Sequence, residues 1–182
     1  MTIDEFFAWQ AEQDINYELV DGVPVPHVKA MTGASDRHDR VTVNVIGTLF
    51  PQLRGTPCRL STADKSVMTA MGTTRRPDVI VECGTPELTS VAADRPRVVI
   101  EVLSPSTTRY DRVRKLVEYQ ATPAIDVILL MDTERPRVTV FRRGEPAWIQ
   151  HEVAGLDATI DLPEVAAQLP LAELYEGLPF DD

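Results

Sequence analysis

Two short runs of β-branched residues, RRPDVIVEC and PRVVIEVLSPST, carry the acidic side chains Asp78 and Glu101 where buried strands are expected. A carboxylate inside such a run is strongly destabilising unless a cation or hydrogen-bond donors compensate it. Two of them on neighbouring strands point to a shared metal ion. A dozen residues on, Lys115 supplies a compensating charge. Any fold for this chain must therefore set the two strands side by side and bring the following segment back over them.

The rest of the chain supplies the elements for that arrangement. Residues 2 to 13 have a helical pattern, with Thr2 as cap and Phe6, Phe7 and Trp9 for packing. NYELVDGVPVPHV alternates around Asp21-Gly22, a dipeptide suited to the positive φ of a tight hairpin, which predicts strands at 16 to 20 and 23 to 28. Val41, Val45, Thr48, Leu49 and Leu53 recur at helical spacing, giving a helix from 36 to 53. Strands are expected at 58 to 61, 66 to 70, 77 to 82 and 97 to 103. In TTRYDRVRKLVEYQAT, Val113, Leu116, Val117 and Gln120 share one helical face, while Asp111, Lys115 and Tyr119 follow each other at four-residue spacing on another. DVILLMD then reads as a buried strand, RVTVFRR and AWIQHEV as outer strands, and PLAELYEGL as a short helix. The expected architecture is α/β, of α+β type: one mixed β-sheet flanked by helices, with an N-terminal β-hairpin.

With 182 residues, 43% apolar and 25% charged, the chain has the composition of a globular protein, and one domain spanning 1–182 is expected. Its apolar runs are strand-sized, too short for a membrane span, and MTIDEFFAWQ lacks the basic-then-apolar order of a signal peptide. A cytoplasmic location follows as the expectation. Cys58 and Cys83 lie far apart without a CxxC partner, which favours buried thiols over a zinc knuckle or a disulfide framework.

Familiar chemistries are excluded by the absence of GxxxxGK[ST], of GxGxxG after a strand, of GxSxG and of HExxH. Three histidines, His27, His38 and His151, offer little for an imidazole-rich site, so a hard cation held by oxygen is expected, with Mg2+ the best fit and Mn2+ a substitute. A net charge of −10 argues against a protein that coats nucleic acid. Arg75, Arg76, Arg95, Arg97, Arg109, Arg112, Arg114 and Lys115 nevertheless cluster near the acidic strands. They form either a rim for a phosphate backbone or a solvated surface paired with Asp94, Asp111 and Glu118.

PD, then a strand glutamate, then a helix carrying a lysine resembles the PD-(D/E)XK nuclease superfamily, whose restriction-endonuclease-like fold matches the expected architecture. More narrowly, YELVDG, RRPDVIVE and above all EVLSPSTTRYDRVRKLVEY are similar to the Uma-two family of restriction endonuclease-like proteins, from Glu18 to about Asp132. The chain departs from the superfamily pattern two residues after Glu101, where Leu103 stands in place of lysine. Lys115 occupies the replacement position that the family places on the following helix. ATPAIDVILLMD also replaces the family's usual glycine and aromatic pair.

The resemblance implies a metal-dependent endonuclease acting on DNA. Asp78, Glu101 and the main-chain carbonyl of Val102 would hold Mg2+ and activate a water for attack on a phosphodiester. Lys115, kept charged by the carboxylates, would stabilise developing negative charge. Glu18 matches the family's early acidic residue, with a strand-edge carboxylate as the equal alternative. Asp111 and Tyr119 would orient Lys115, with surface packing as the competing account. His38, in a first helical turn, reads as a capping or packing residue. Asp78 and Glu101 could instead cap strand ends and pair with Arg76 or Arg97. A nuclease scaffold with weak or no catalysis, acting as a DNA- or protein-binding module, is the alternative function, and a two-fold homodimer is the expected assembly if duplexes are cut.

Overall fold

The computed structural model describes residues 1–27, 35–103 and 109–180, without the side chains of 109 and 110. The end of the second expected strand at residue 28, the SPST tetrapeptide and the Arg109 side chain lie outside the described residues. Thr2 caps helix α1 (Ile3–Gln10) through a capping box with Glu5. The hairpin follows as β1 (Tyr17–Val20) and β2 (Val23–Pro26). Its turn residues Asp21 and Gly22 take φ of 51° and 74°, the two positive values that a two-residue hairpin of right-handed strand twist demands.

Helix α2 (Asp36–Leu53) is capped by Ser35 and buries His38, Val41, Val45, Leu49 and Leu53 as one stripe. Then come β3 (Cys58–Thr62), β4 (Val67–Met68), β5 (Thr74–Arg75), β6 (Val79–Cys83) and β7 (Pro96–Val102). Helix α3 (Arg109–Ala121) leads to β8 (Val127–Met131), β9 (Arg137–Arg142) and β10 (Ile149–Ala154), and the chain closes with β11 (Thr159–Leu162), a 3-10 turn (Pro163–Val165), β12 (Ala167–Pro170) and α4 (Leu171–Leu174).

The central sheet has six strands in the order β10-β9-β8-β7-β6-β3. Only β7 and β8 run parallel within it, joined by the crossover that contains α3, and their neighbours are antiparallel. Alternate residues face opposite cores. Val79, Val81, Val98, Ile100, Val127 and Leu129 pack with the stripe of α2, and Ile80, Val99 and Ile128 pack with Tyr119 of α3. With both faces covered, near-continuous apolar runs are what these strands require.

The single expected sheet is divided. The hairpin joins β5 and β4 in a separate four-stranded sheet, order β2-β1-β5-β4, and β11 pairs β12 as a third. The 66 to 70 segment serves that second sheet as β4, and Thr74–Arg75, too short to show a period, was not foreseen. Helix α3 turns its Lys115 and Tyr119 face inward. Val113 and Val117 are about half exposed, while Lys115, Glu118 and Tyr119 are buried. The charged side chains can face inward because partners await them there.

Cys58 and Cys83 are a further correction. They stand opposite each other in the β3/β6 register and are joined in a disulfide. Antiparallel pairing produces this juxtaposition across 25 residues, a relation that spacing does not reveal. No helix among the described residues is long and apolar enough to cross a membrane.

Candidate active site

The site lies where the start of β6 meets the end of β7 beneath α3. Val79 pairs with Ile100, so Asp78, one residue before β6, comes beside the last residues of β7. Its Oδ2 accepts the backbone N–H of Val102 at 2.7 Å, fixing the carboxylate next to Glu101. Period-two alternation puts Asp78 with Ile80 and Glu101 with Val99, on the face that α3 covers. Both acids are buried, at 5% exposure each.

From α3, Lys115 reaches into this space with Nζ 3.2 Å from Glu18 Oε1 and 3.6 Å from Glu101 Oε1. One turn later, the Tyr119 hydroxyl donates to Glu101 Oε1 at 2.8 Å. Burial opposes the charge on Lys115, but the carboxylates of Glu101, Glu18 and Asp111 outweigh it and hold the ammonium well above its ordinary pKa. Tyr119 is raised as well, first by burial and then by Glu101 and Glu18, so its hydroxyl stays a donor.

Glu18 on β1 is the hub. Arg75 Nη1 contacts its Oε2 at 2.9 Å, the Arg76 N–H donates to its Oε1 at 2.9 Å, and His27 Nδ1 lies 3.6 Å from Oε1. Burial works against its charge, yet Lys115, His27, Arg75 and the Arg76 amide together push Glu18 well below the usual carboxylate range. Arg75 in turn clasps Glu118 through Nε and Nη2. Glu118, expected as a surface partner of the clustered arginines, is buried in this network, and its contact with Arg114 four residues earlier is an ordinary helical pairing.

The structure thus brings Glu18, Glu101, Lys115 and Tyr119 into direct contact and sets Asp78 alongside through Val102. Asp111, in the first turn of α3, acts on Lys115 through its charge. The arginines offered as alternative partners of the acids are engaged elsewhere: Arg76 donates to the carbonyls of Tyr17, Ala63 and Asp64, and Arg97 pairs with Asp126. Arg75 and Arg76 are buried, at 2% exposure, so these two belong to the interior and not to a basic rim. A third strand carboxylate, Glu82, lies towards the far end of β6, where Lys65 and Arg59 hold it.

His38, expected as a capping or packing residue, does pack, at 5% exposure. Its Nε2 also lies 3.2 Å from Asp78 Oδ1, and among the described residues neither ring nitrogen has a hydrogen-bond partner. Among the described residues no three His, Cys, Asp or Glu side chains form a cluster able to hold a metal by themselves. A divalent ion here would depend on one or two carboxylates, a carbonyl and water, the habit of Mg2+. The buried carboxylate oxygens of Asp78 and Glu101 fit a divalent ion.

Comparison with known proteins gives the same direction. The Uma2 family model, described as "Putative restriction endonuclease", matches residues 3–172. Two proteins of Synechocystis sp. are 26% identical: uncharacterized protein slr1290 over 180 residues, covering 97% of this chain and 92% of its own, and uncharacterized protein sll1609 over 166 residues, covering 88% and 92%. The crystal structure of a protein from Anabaena variabilis, described as a putative nuclease belonging to DUF820, superposes with a TM-score of 0.74 and 17% identity, over 96% of this chain and 97% of that one. The shared fold is a nuclease-like mixed α+β architecture.

Proposed function

We propose, from the premise that this chain belongs to the Uma2 family, that it is a Mg2+-dependent endodeoxyribonuclease built as one restriction-endonuclease-like domain over residues 1–182. The observation that carries the reading is the ammonium of Lys115, buried between Glu18 and Glu101, on the face where Asp78 is fixed beside Glu101. A permanently charged cation next to paired acids suits a phosphodiester, whose hydrolysis builds negative charge on phosphoryl oxygen.

Asp78, Glu101 and the Val102 carbonyl are the groups that would hold the metal, and Mn2+ could replace Mg2+. Bound there, the ion would supply an activated water and a Lewis acid. The protein's own groups supply positioning. The Val102 N–H fixes Asp78, and the Tyr119 hydroxyl fixes Glu101. Glu18 holds Lys115 in place, and Lys115, which keeps its proton, donates to a phosphate oxygen or orients the water and does not act as base. Asp111 reinforces its charge. Two-fold pairing of the protein would allow both strands of a duplex to be cut. We place the protein in the cytoplasm, where the Cys58–Cys83 disulfide would be an exception to the usual reduced state of cysteines.

The net charge of −10 and the burial of Arg75 and Arg76 favour a second reading, a scaffold with weak or no catalysis that binds DNA or a protein partner. Plasmid and single-stranded DNA incubated with Mg2+ or Mn2+ separate the two. The nuclease reading expects nicking by wild type and none by Asp78→Ala, Glu101→Ala or Lys115→Ala. Four preparations of equal behaviour would remove it, and DNA retention without cleavage would favour the binding module.

A further inference from the structure

We infer that His38 is a metal ligand, so that the site presents an imidazole nitrogen beside the Asp78 carboxylate and takes Mn2+ in preference to Mg2+. This rests on the metal-dependent reading above, adds to it a nitrogen donor, and puts Mn2+ in place of Mg2+ as the preferred ion.

Three observations converge. His38 is 5% exposed, and among the described residues neither Nδ1 nor Nε2 has a hydrogen-bond partner, a cost for a buried imidazole. Its Nε2 lies 3.2 Å from Asp78 Oδ1, close enough for an ion pair but not aligned as a hydrogen bond. Their separation is also that of neighbouring ligands: two donors each about 2.1 Å from an octahedral ion and at right angles are about 3.0 Å apart. The other oxygen of Asp78, Oδ2, is taken by the Val102 N–H, which turns Oδ1 towards His38. Helix α2 makes this reach possible. Its stripe from Val41 to Leu53 is buried in the core, and Ser35 caps the turn on which His38 sits by accepting from the His38 N–H, so the imidazole is carried on a rigid element.

The consequence is chemical. An all-oxygen site suits Mg2+, whereas an imidazole ligand shifts preference towards Mn2+ and later divalent ions. The few protein donors leave most of the coordination shell to water, as a hydrolytic site needs.

The test is pulsed electron paramagnetic resonance of Mn2+ added to the full-length protein. Nitrogen modulation is expected on bound Mn2+, changing frequency when histidine is labelled with 15N and disappearing in His38→Gln but not in His27→Gln. Calorimetry should show Mn2+ affinity falling about tenfold or more in His38→Gln. The 15N arm needs no variant and so stands even if His38→Gln folds poorly. Bound Mn2+ without histidine nitrogen, or with modulation lost in His27→Gln instead, would overturn the assignment while leaving the metal-dependent reading intact. No Mn2+ binding by wild type would overturn both.

Discussion

Lys115 of α3 and Glu18 of β1, 97 positions apart in sequence, stand 3.2 Å apart with both side chains largely buried. The contact ties the hairpin sheet to the crossover helix of the central sheet, and it presents the ammonium to Glu101 at 3.6 Å. Neither group would tolerate burial without the other. The pair is therefore structural and, in our account, functional at once.

Replacing Glu18 separates the two roles. Glu18→Ala leaves Arg75 and Lys115 short of a counter-charge in a buried setting, and a loss of about 3–5 kcal/mol is expected in urea unfolding. A change below about 1 kcal/mol would mean that the contact behaves like a surface ion pair.

The pH dependence of stability follows from the same carboxylate. Glu18 is held below its ordinary value in the folded state, so on acidification the unfolded chain binds the proton first. Its contribution is complete above the unfolded value of about 4.3 and is lost as pH falls below it. Lys115 has the opposite sign: raised in the fold, it contributes fully below about 10.4 and loses that contribution at higher pH. Unfolding free energies of wild type and Glu18→Gln should differ most near neutrality and converge as pH falls from 5 to 3. Parallel curves would contradict this.

Tyr119→Phe removes only the hydroxyl that donates to Glu101. The expected cost is about 1–3 kcal/mol of stability, from a buried charge-assisted hydrogen bond, with cleavage reduced about 10–100-fold and DNA affinity unchanged. An activity equal to wild type would show that Glu101 needs no such orientation.

The disulfide makes a prediction of the other kind. Cys58 and Cys83 close a 25-residue span at the end of β6 remote from Asp78. Cys58→Ser with Cys83→Ser should lower stability by about 3 kcal/mol and leave cleavage per folded molecule unchanged. A parallel loss of activity would connect that strand end to the site.

Much of this architecture is legible in the sequence because its signals are local. Asp21-Gly22 writes its own turn, the stripe from Val41 to Leu53 writes a helix, and the β-branched runs write buried strands. What escapes is set by distance. The pairing of β1 with β5, the Cys58–Cys83 contact and the 3.2 Å approach of His38 to Asp78 arise only when remote segments dock. The orientation of α3 is the instructive case. Val113 and Val117 stay half exposed, because the charges of Lys115 and Glu118 find Glu18, Glu101 and Arg75 in the interior, and their compensation decides the helix's rotation.

The most direct measurement is anomalous diffraction from crystals soaked in Mn2+. The account predicts a peak within ligating distance of Asp78, on the side facing Glu101, with Lys115 nearby and absent from the ligand set. A peak elsewhere, or none at Mn2+ concentrations that saturate binding in solution, would contradict a metal-dependent site at these residues.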